Sequence, residues 1–135
     1  MNDYFAPRMS EEDINALSML ALAHIGDAVY ELLCRTMLCE NGGRRNDDLH
    51  RRTVALVNAA SQAEAAKRIM PALTDDELRV YKRARNAKVN SVPQSADIAQ
   101  YHAATGLEAL FGRLYLEGKT QRINELFALC MGEEV

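Results

Sequence analysis

Residues 21–33 read ALAHIGDAVYELL, a run in which small and apolar side chains surround a single aspartate, Asp27. Apolar positions recur at helical spacing, so the stretch reads as a helix buried on most sides. A carboxylate inside such a helix is costly unless a partner or a metal compensates it. One turn away from Asp27 stand Ala23, His24, Tyr30 and Glu31. Residues 97–118, DIAQYHAATGLEALFGRLYLEG, repeat the arrangement around Glu108, whose one-turn neighbours are Ala104, Thr105, Phe111 and Gly112. Small residues gather beside both acids: Ala23, Gly26 and Ala28 in the first run, Ala104, Gly106, Ala109 and Gly112 in the second. Glycine within a helix costs about 1 kcal/mol relative to alanine, so it needs a packing or functional reason. Close approach of two helix backbones supplies one. Where the helices cross, Asp27 and Glu108 face each other, and two like charges raise a pKa unless a cation lies between them. Mg²⁺ suits such a pair, because it favours hard oxygen ligands and takes one or two carboxylates plus waters and substrate phosphate. The plainer alternative is that each acid pairs with a nearby arginine, such as Arg35 or Arg113.

Outward from these two runs, helical periodicity continues almost everywhere and alternating β-branched runs are missing, which predicts an all-α fold of six segments. Ser10–Asp13 is a capping-type start for a long helix over about residues 15–40, ended by Asn41-Gly42-Gly43. Asn46 and Asp47 are candidate caps for DLHRRTVALV, and AASQAEAAKRIM follows Asn58 and is closed by Pro71. Thr74 and Glu77 form a capping box for a helix running to about Asn86. Residues 89–96 read as a surface loop, Asp97 caps the second long helix, Gly118 ends it, and TQRINELFALCM is the last helix.

A chain of 135 residues fits one domain, divided here into an N-terminal segment, residues 1–14, and a folded unit, residues 15–135. The formal net charge of −3 argues against nucleic acid unless the basic residues are concentrated locally. They are: RVYKRARNAK, residues 79–88, holds five basic side chains and no acid. A second group, Arg44, Arg45, His50, Arg51 and Arg52, is diluted by Asp47 and Asp48. Either group alone is compatible with an ordinary solvated helix face. Cys34, Cys39 and Cys130 form no CxxC pair, so reduced, packed thiols of a cytosolic protein are expected. Neither an apolar leader nor a run long enough to span a membrane is legible.

Other enzymatic patterns are missing. Asp47 and His50 lie one turn apart, but a di-iron bundle needs two Glu-x-x-His elements. The His-Asp dipeptide of metal-dependent phosphohydrolases and the G-x-S-x-G nucleophile elbow do not occur. His24, His50 and His102 read as core or surface histidines rather than ligands.

ALAHIGDAVYELL resembles the signature helix of the ribonuclease III family, and TGLEALFGRLYLEG resembles its partner helix. LHRRTVALVNAASQAEAAKRI, TDDELRVYKRARNAK and SVPQSAD extend the likeness to Mini-ribonuclease III, the short bacterial branch, over about residues 16–130. The resemblance implies the helical endonuclease-domain fold of that family, with Asp27 and Glu108 as catalytic, Mg²⁺-binding residues. Two further acids of the full-length enzymes fall on Ala23 and Thr105 here, and Glu31, Thr105 and His24 are the possible supplements. In place of the family's Gly-Arg-Asn-Ala-Lys this chain has Ala84-Arg85-Asn86-Ala87-Lys88, and in place of its Pro-Lys it has Pro93-Gln94.

In that context Arg83, Arg85, Asn86, Lys88, His50 and Arg51 become the expected RNA contacts. A-form RNA is recognised through shape, phosphates and 2′-hydroxyls, which arginine, lysine and asparagine on helix ends and loops suit. With the sequence closing at Val135, the grip on RNA is expected to come from the catalytic domain itself. The resemblance further implies a cytoplasmic homodimer that hydrolyses double-stranded RNA, matures precursor 23S ribosomal RNA, and can work with a ribosomal protein. The alternative is a catalytically silent RNA-binding or ribosome-assembly module with the same fold; keeping two costly acids argues against it.

Overall fold

In the computed structural model, which describes residues 1–87 and 97–133, the two acid-bearing runs form long helices that cross at their glycines. Helix α1 spans Glu11–Ala16, α2 Met19–Glu40, α3 Asn46–Val57 and α4 Ala59–Ile69. A 3₁₀ turn at Met70–Ala72 leads into α5, Asp75–Arg85, followed by α6, Ile98–Leu116, and α7, Thr120–Cys130. No strand occurs among the described residues, so the all-α expectation holds. The expected loop over residues 89–96 lies outside them.

Helices α2 and α6 are the central pair. A Cβ on Gly26 would overlap the Glu108 carbonyl oxygen and lie 2.8 Å from the Gly112 nitrogen. One on Gly112 would overlap the Leu22 carbonyl and lie 2.9 Å from the Gly26 nitrogen. Residue 26 thus meets 108 and residue 22 meets 112, an antiparallel crossing in which backbone touches backbone.

The core forms on both sides of this contact. Tyr30 of α2 packs edge-on against Phe111 of α6 and Phe127 of α7, with ring centroids 5.3 and 5.6 Å apart. Ala65, Ala66 and Ile69 of α4, Tyr81 of α5, and Leu126 and Cys130 of α7 close that cluster. A smaller cluster joins Ile14 of α1 to Leu22, Ala23, Ala84, Ala109 and Leu116. Side-chain clasps tie distant segments together. Arg68 donates to the Cys130 carbonyl at 2.6 Å. Arg122 bonds both Glu77 oxygens, at 2.9 and 2.8 Å, and the Ala72 carbonyl at 2.7 Å. The Arg122 guanidinium holds the Glu77 carboxyl below its usual range.

Several local expectations are met: the Thr74–Glu77 capping box is complete, Asp97 caps α6 at Gln100 N–H, and Gly118 follows α6 at φ 74°. Others need correction. The single helix expected over residues 15–40 is two, because Ser18 Oγ accepts from Ala21 N–H at 3.0 Å and starts a new helix, leaving Leu17 extended. Neither Asn46 nor Asp47 caps α3. Arg45 occupies the cap position without a side-chain bond, and Asp47 Oδ1 instead accepts from Asp48 N–H. Of the three thiols, Cys34 and Cys130 are buried, but Cys39 is exposed near the end of α2.

The Gly26 contact sets a sharp expectation. On an open helix face Gly→Ala stabilises by about 1 kcal/mol. Here Gly26→Ala forces backbone against backbone and destabilises by about 2–3 kcal/mol in urea unfolding. An unchanged or raised midpoint would show that the two helices do not meet there.

Candidate functional site

Because Gly26 takes the buried contact, the next residue on α2 turns toward the rim of the crossing. Asp27 is accordingly exposed, which corrects the expectation that it is buried among apolar neighbours. The burden of burial falls on Glu108, half-buried and flanked on α6 by Leu107 and Ala109, neither of which is exposed at all. The Glu108 carboxyl has two polar side chains as neighbours, Asp27 of α2 and Gln62 of α4. Two acids separated by most of the chain thus converge.

Burial is the main reason that the Glu108 pKa is pushed up to about 9, and the adjacent Asp27 carboxylate adds to it; the Gln62 amide pulls it back. Without a cation, Glu108 therefore keeps its proton at neutral pH. The arginine alternative is not realised. Arg35 pairs with Glu31 at 2.8 Å, while Arg113 pairs with Glu117 at 3.4 Å and donates to Asn15 at 2.7 Å.

The positions of the two missing acids stay apolar or self-satisfied. Ala23 is buried in the smaller core cluster, and the Thr105 hydroxyl donates to the Tyr101 carbonyl at 3.1 Å. Glu31 is held by Arg35, and His24 is exposed. No group of three or more His, Cys, Asp or Glu that could hold a metal ion occurs among the described residues. A pair of carboxylates beside an amide is nevertheless a hard, all-oxygen donor set. It fits Mg²⁺, which completes its shell with waters and phosphate oxygens, and fits zinc poorly, because zinc sites supply three or four protein ligands with histidine or cysteine among them.

The basic residues singled out in the sequence fall on two different helices. Arg83, on α5, is exposed and lines a cleft of about 840 Å³. That cleft does not include Asp27 or Glu108, and several of its charges are paired internally, Arg79 with Asp76 and Arg122 with Glu77. Arg85 lies over the Tyr81 ring, 5.7 Å from its centroid, and its Nε donates to Asn86 Oδ1 at 3.3 Å. Asn86 is exposed at the C-terminal end of α5. His50 and Arg51 are exposed on α3, where Arg51 pairs with Asp48. Lys88 lies outside the described residues.

Sequence reasoning passed over Gln62. Its signal was available: a polar side chain set in AASQAEAA, where helical spacing places it on the alanine-lined face.

Glu108 also ties stability to pH. The unfolded chain releases this proton near the ordinary value of 4.5, whereas the folded protein holds it to about 9. The group's contribution to stability is thus intact below about pH 4.5 and declines as pH rises toward 9. Glu108→Gln is expected to remove that decline, leaving a variant more stable than the parent in chelator at about pH 8.5 and little different at about pH 4. Urea unfolding at both values checks it; parallel curves for the two proteins would contradict the burial of Glu108.

The family model for the ribonuclease III domain matches residues 20–119. A Mini-ribonuclease 3 from Symbiobacterium thermophilum is 48% identical over 110 residues, covering 82% of this chain and 85% of that protein. Another, from Thermoanaerobacter, is 40% identical over 123 residues, covering 91% and 87% respectively. A crystal structure of a Fusobacterium nucleatum protein superposes with a TM-score of 0.80 at 33% identity, covering 89% of this chain and 96% of that one. With a domain match over most of its length and relatives this similar, the chain belongs to the ribonuclease III family, in its Mini-ribonuclease 3 branch, and is an endoribonuclease of that type.

Proposed function

We propose that this chain is a Mg²⁺-dependent endoribonuclease that hydrolyses phosphodiester bonds of double-stranded RNA, with Asp27 and Glu108 as its catalytic, metal-holding residues. The observation that carries the reading is the meeting of these two acids at the α2–α6 crossing, with no arginine paired to either among the described residues. A buried acid that must hold a proton when alone is poised to exchange it for a cation. Bound there, Mg²⁺ would supply polarisation of the scissile phosphate and a water of lowered pKa.

The protein's own residues do the rest. Exposed Asp27 presents its carboxylate at the rim, where a phosphodiester backbone can reach it, while half-buried Glu108 supplies a fixed anchor below. Arg83, Arg85, Asn86, His50 and Arg51 contact phosphates and 2′-hydroxyls on either side of the cut. We assign the catalytic unit to residues 15–135. It works as a homodimer, each subunit cutting one strand, and large side chains left exposed on α2, α3 and α6, namely Leu32, Val54 and Ile98, suit burial against another copy. The natural target that we infer from the Mini-ribonuclease 3 likeness is precursor 23S ribosomal RNA in the cytoplasm, with a ribosomal protein as an accessory partner. No helix among the described residues is long and apolar enough to cross a membrane.

Incubation with long double-stranded RNA tests the assignment. Cleavage is expected with Mg²⁺ and not with chelator. Asp27→Asn is expected to keep its fold and RNA binding while losing at least about 100-fold in cleavage rate; undiminished cleavage would refute the role of Asp27. Arg83→Ala, by contrast, is expected to weaken RNA binding and reduce the steepness of its salt dependence by about one unit in a log–log plot, leaving the rate at saturating RNA unchanged. A saturating rate that falls with an unaltered salt slope would remove Arg83 from the RNA contacts.

A further inference from the structure

Asp27, Glu31 and Arg35 follow one another at four-residue intervals on α2. Residues so spaced are surface neighbours on a helix, with Cβ atoms about 5–6 Å apart, so Glu31 stands directly beside the exposed Asp27. Arg35 does not point onward along the helix. Its Nη2 reaches back one turn and donates to Glu31 Oε2 at 2.8 Å, the direction in which helix side chains lean. The guanidinium therefore lies over Glu31, about 5 Å along the axis from Asp27. Its hold is partial: the side chain is 60% exposed, and Glu31 is its one ion-pair partner among the described residues. A guanidinium carries five N–H donors, so most of them remain free. Arg113 of α6, by contrast, is largely buried and spent on Glu117 and Asn15.

We propose that Arg35 is a substrate-contacting residue of the nuclease: anchored by Glu31 beside Asp27, it donates its free N–H groups to the non-bridging oxygens of the phosphate being cut, and Glu31 is the positioning residue that aims it. The inference rests on the reading of Asp27 and Glu108 as the catalytic pair. Two carboxylates repel an approaching phosphodiester, and a fixed cation one turn away offsets that repulsion. As the water oxygen bonds to phosphorus and the phosphorus–sugar oxygen bond breaks, negative charge grows on the non-bridging oxygens, where preorganised N–H donors act most strongly. A planar, permanently charged fork suits that task. Its placement matters as much as its charge. An arginine paired with Asp27 itself would occupy the place of a divalent cation, whereas one held by a third carboxylate leaves both catalytic acids free.

Arg35→Gln, Arg35→Lys and Glu31→Gln test it, with kcat and KM measured on double-stranded RNA and Mg²⁺ affinity measured by calorimetric titration. All three are expected to fold with urea midpoints close to that of the parent, because an exposed pair at this spacing adds little to stability. Arg35→Gln should lower kcat by about 100-fold, with KM for RNA little changed and Mg²⁺ affinity not reduced. Arg35→Lys keeps the charge without the fork and should fall between that variant and the parent. Glu31→Gln frees the guanidinium and should lower kcat by less than Arg35→Gln does. An unchanged kcat in Arg35→Gln, or a fall accompanied by equally weaker Mg²⁺ binding, would overturn the proposal. So would a Glu31→Gln variant more impaired than Arg35→Gln, since Glu31 would then act on its own account, or unfolding of all three variants. A parent protein that fails to cut RNA with Mg²⁺ would be a different failure, removing the reading of Asp27 and Glu108 itself.

Discussion

The rest of the structure depends on one steric constraint, the contact of two helix backbones at Gly26 and Gly112. Side chains of any size at these positions would hold α2 and α6 apart, because the space a Cβ needs is taken by the opposite helix's carbonyl oxygens. Drawn together without side chains between them, the helices bring residue 27 and residue 108 to the same crossing. The same contact decides the difference between the two acids. Gly26 sits in the interface, so Asp27, one residue on, turns outward, whereas Glu108 lies against the interface itself and is partly shut away from water.

That asymmetry has an electrostatic consequence. Burial and a neighbouring carboxylate both oppose ionisation of Glu108, and the closest help is a neutral amide. Elsewhere the protein pairs buried and half-buried acids with arginine: Glu77 and Glu125 with Arg122, Glu117 with Arg113. Glu77 is the instructive contrast, a more deeply buried acid held below its ordinary pKa by a guanidinium. At Glu77 the chain supplies a fixed positive charge; at the α2–α6 crossing no salt bridge to either acid occurs among the described residues.

Much of this was legible in the sequence. Glycines inside otherwise good helices announced the crossing, and an acid beside each marked the pair that converges there, because both features are local departures from what a stable helix prefers. The capping signals at Thr74, Asp97 and Gly118 were likewise local and correct. What escaped was set by packing. Ser18 has the right chemistry for a cap, but the apolar pattern continues across it, so periodicity alone joined α1 to α2. Asp27 was expected to be buried because its neighbours in the chain are apolar; burial follows which face meets another helix, and that face belongs to Gly26. The Arg122–Glu77 and Arg68–Cys130 clasps span 45 and 62 residues and leave no mark in local composition. Gln62 was visible as an oddity, yet its neighbour Glu108 lies on a helix that only the fold brings alongside.

The central claim is that Asp27 and Glu108 form one divalent-cation site at the helix crossing. Anomalous diffraction from a crystal of the full chain soaked in Mn²⁺ tests it most directly. The account predicts a peak bridging the two carboxylates, with the helices still in backbone contact at Gly26 and Gly112. A peak that lies elsewhere, or carboxylates that point apart with the crossing empty, would contradict it.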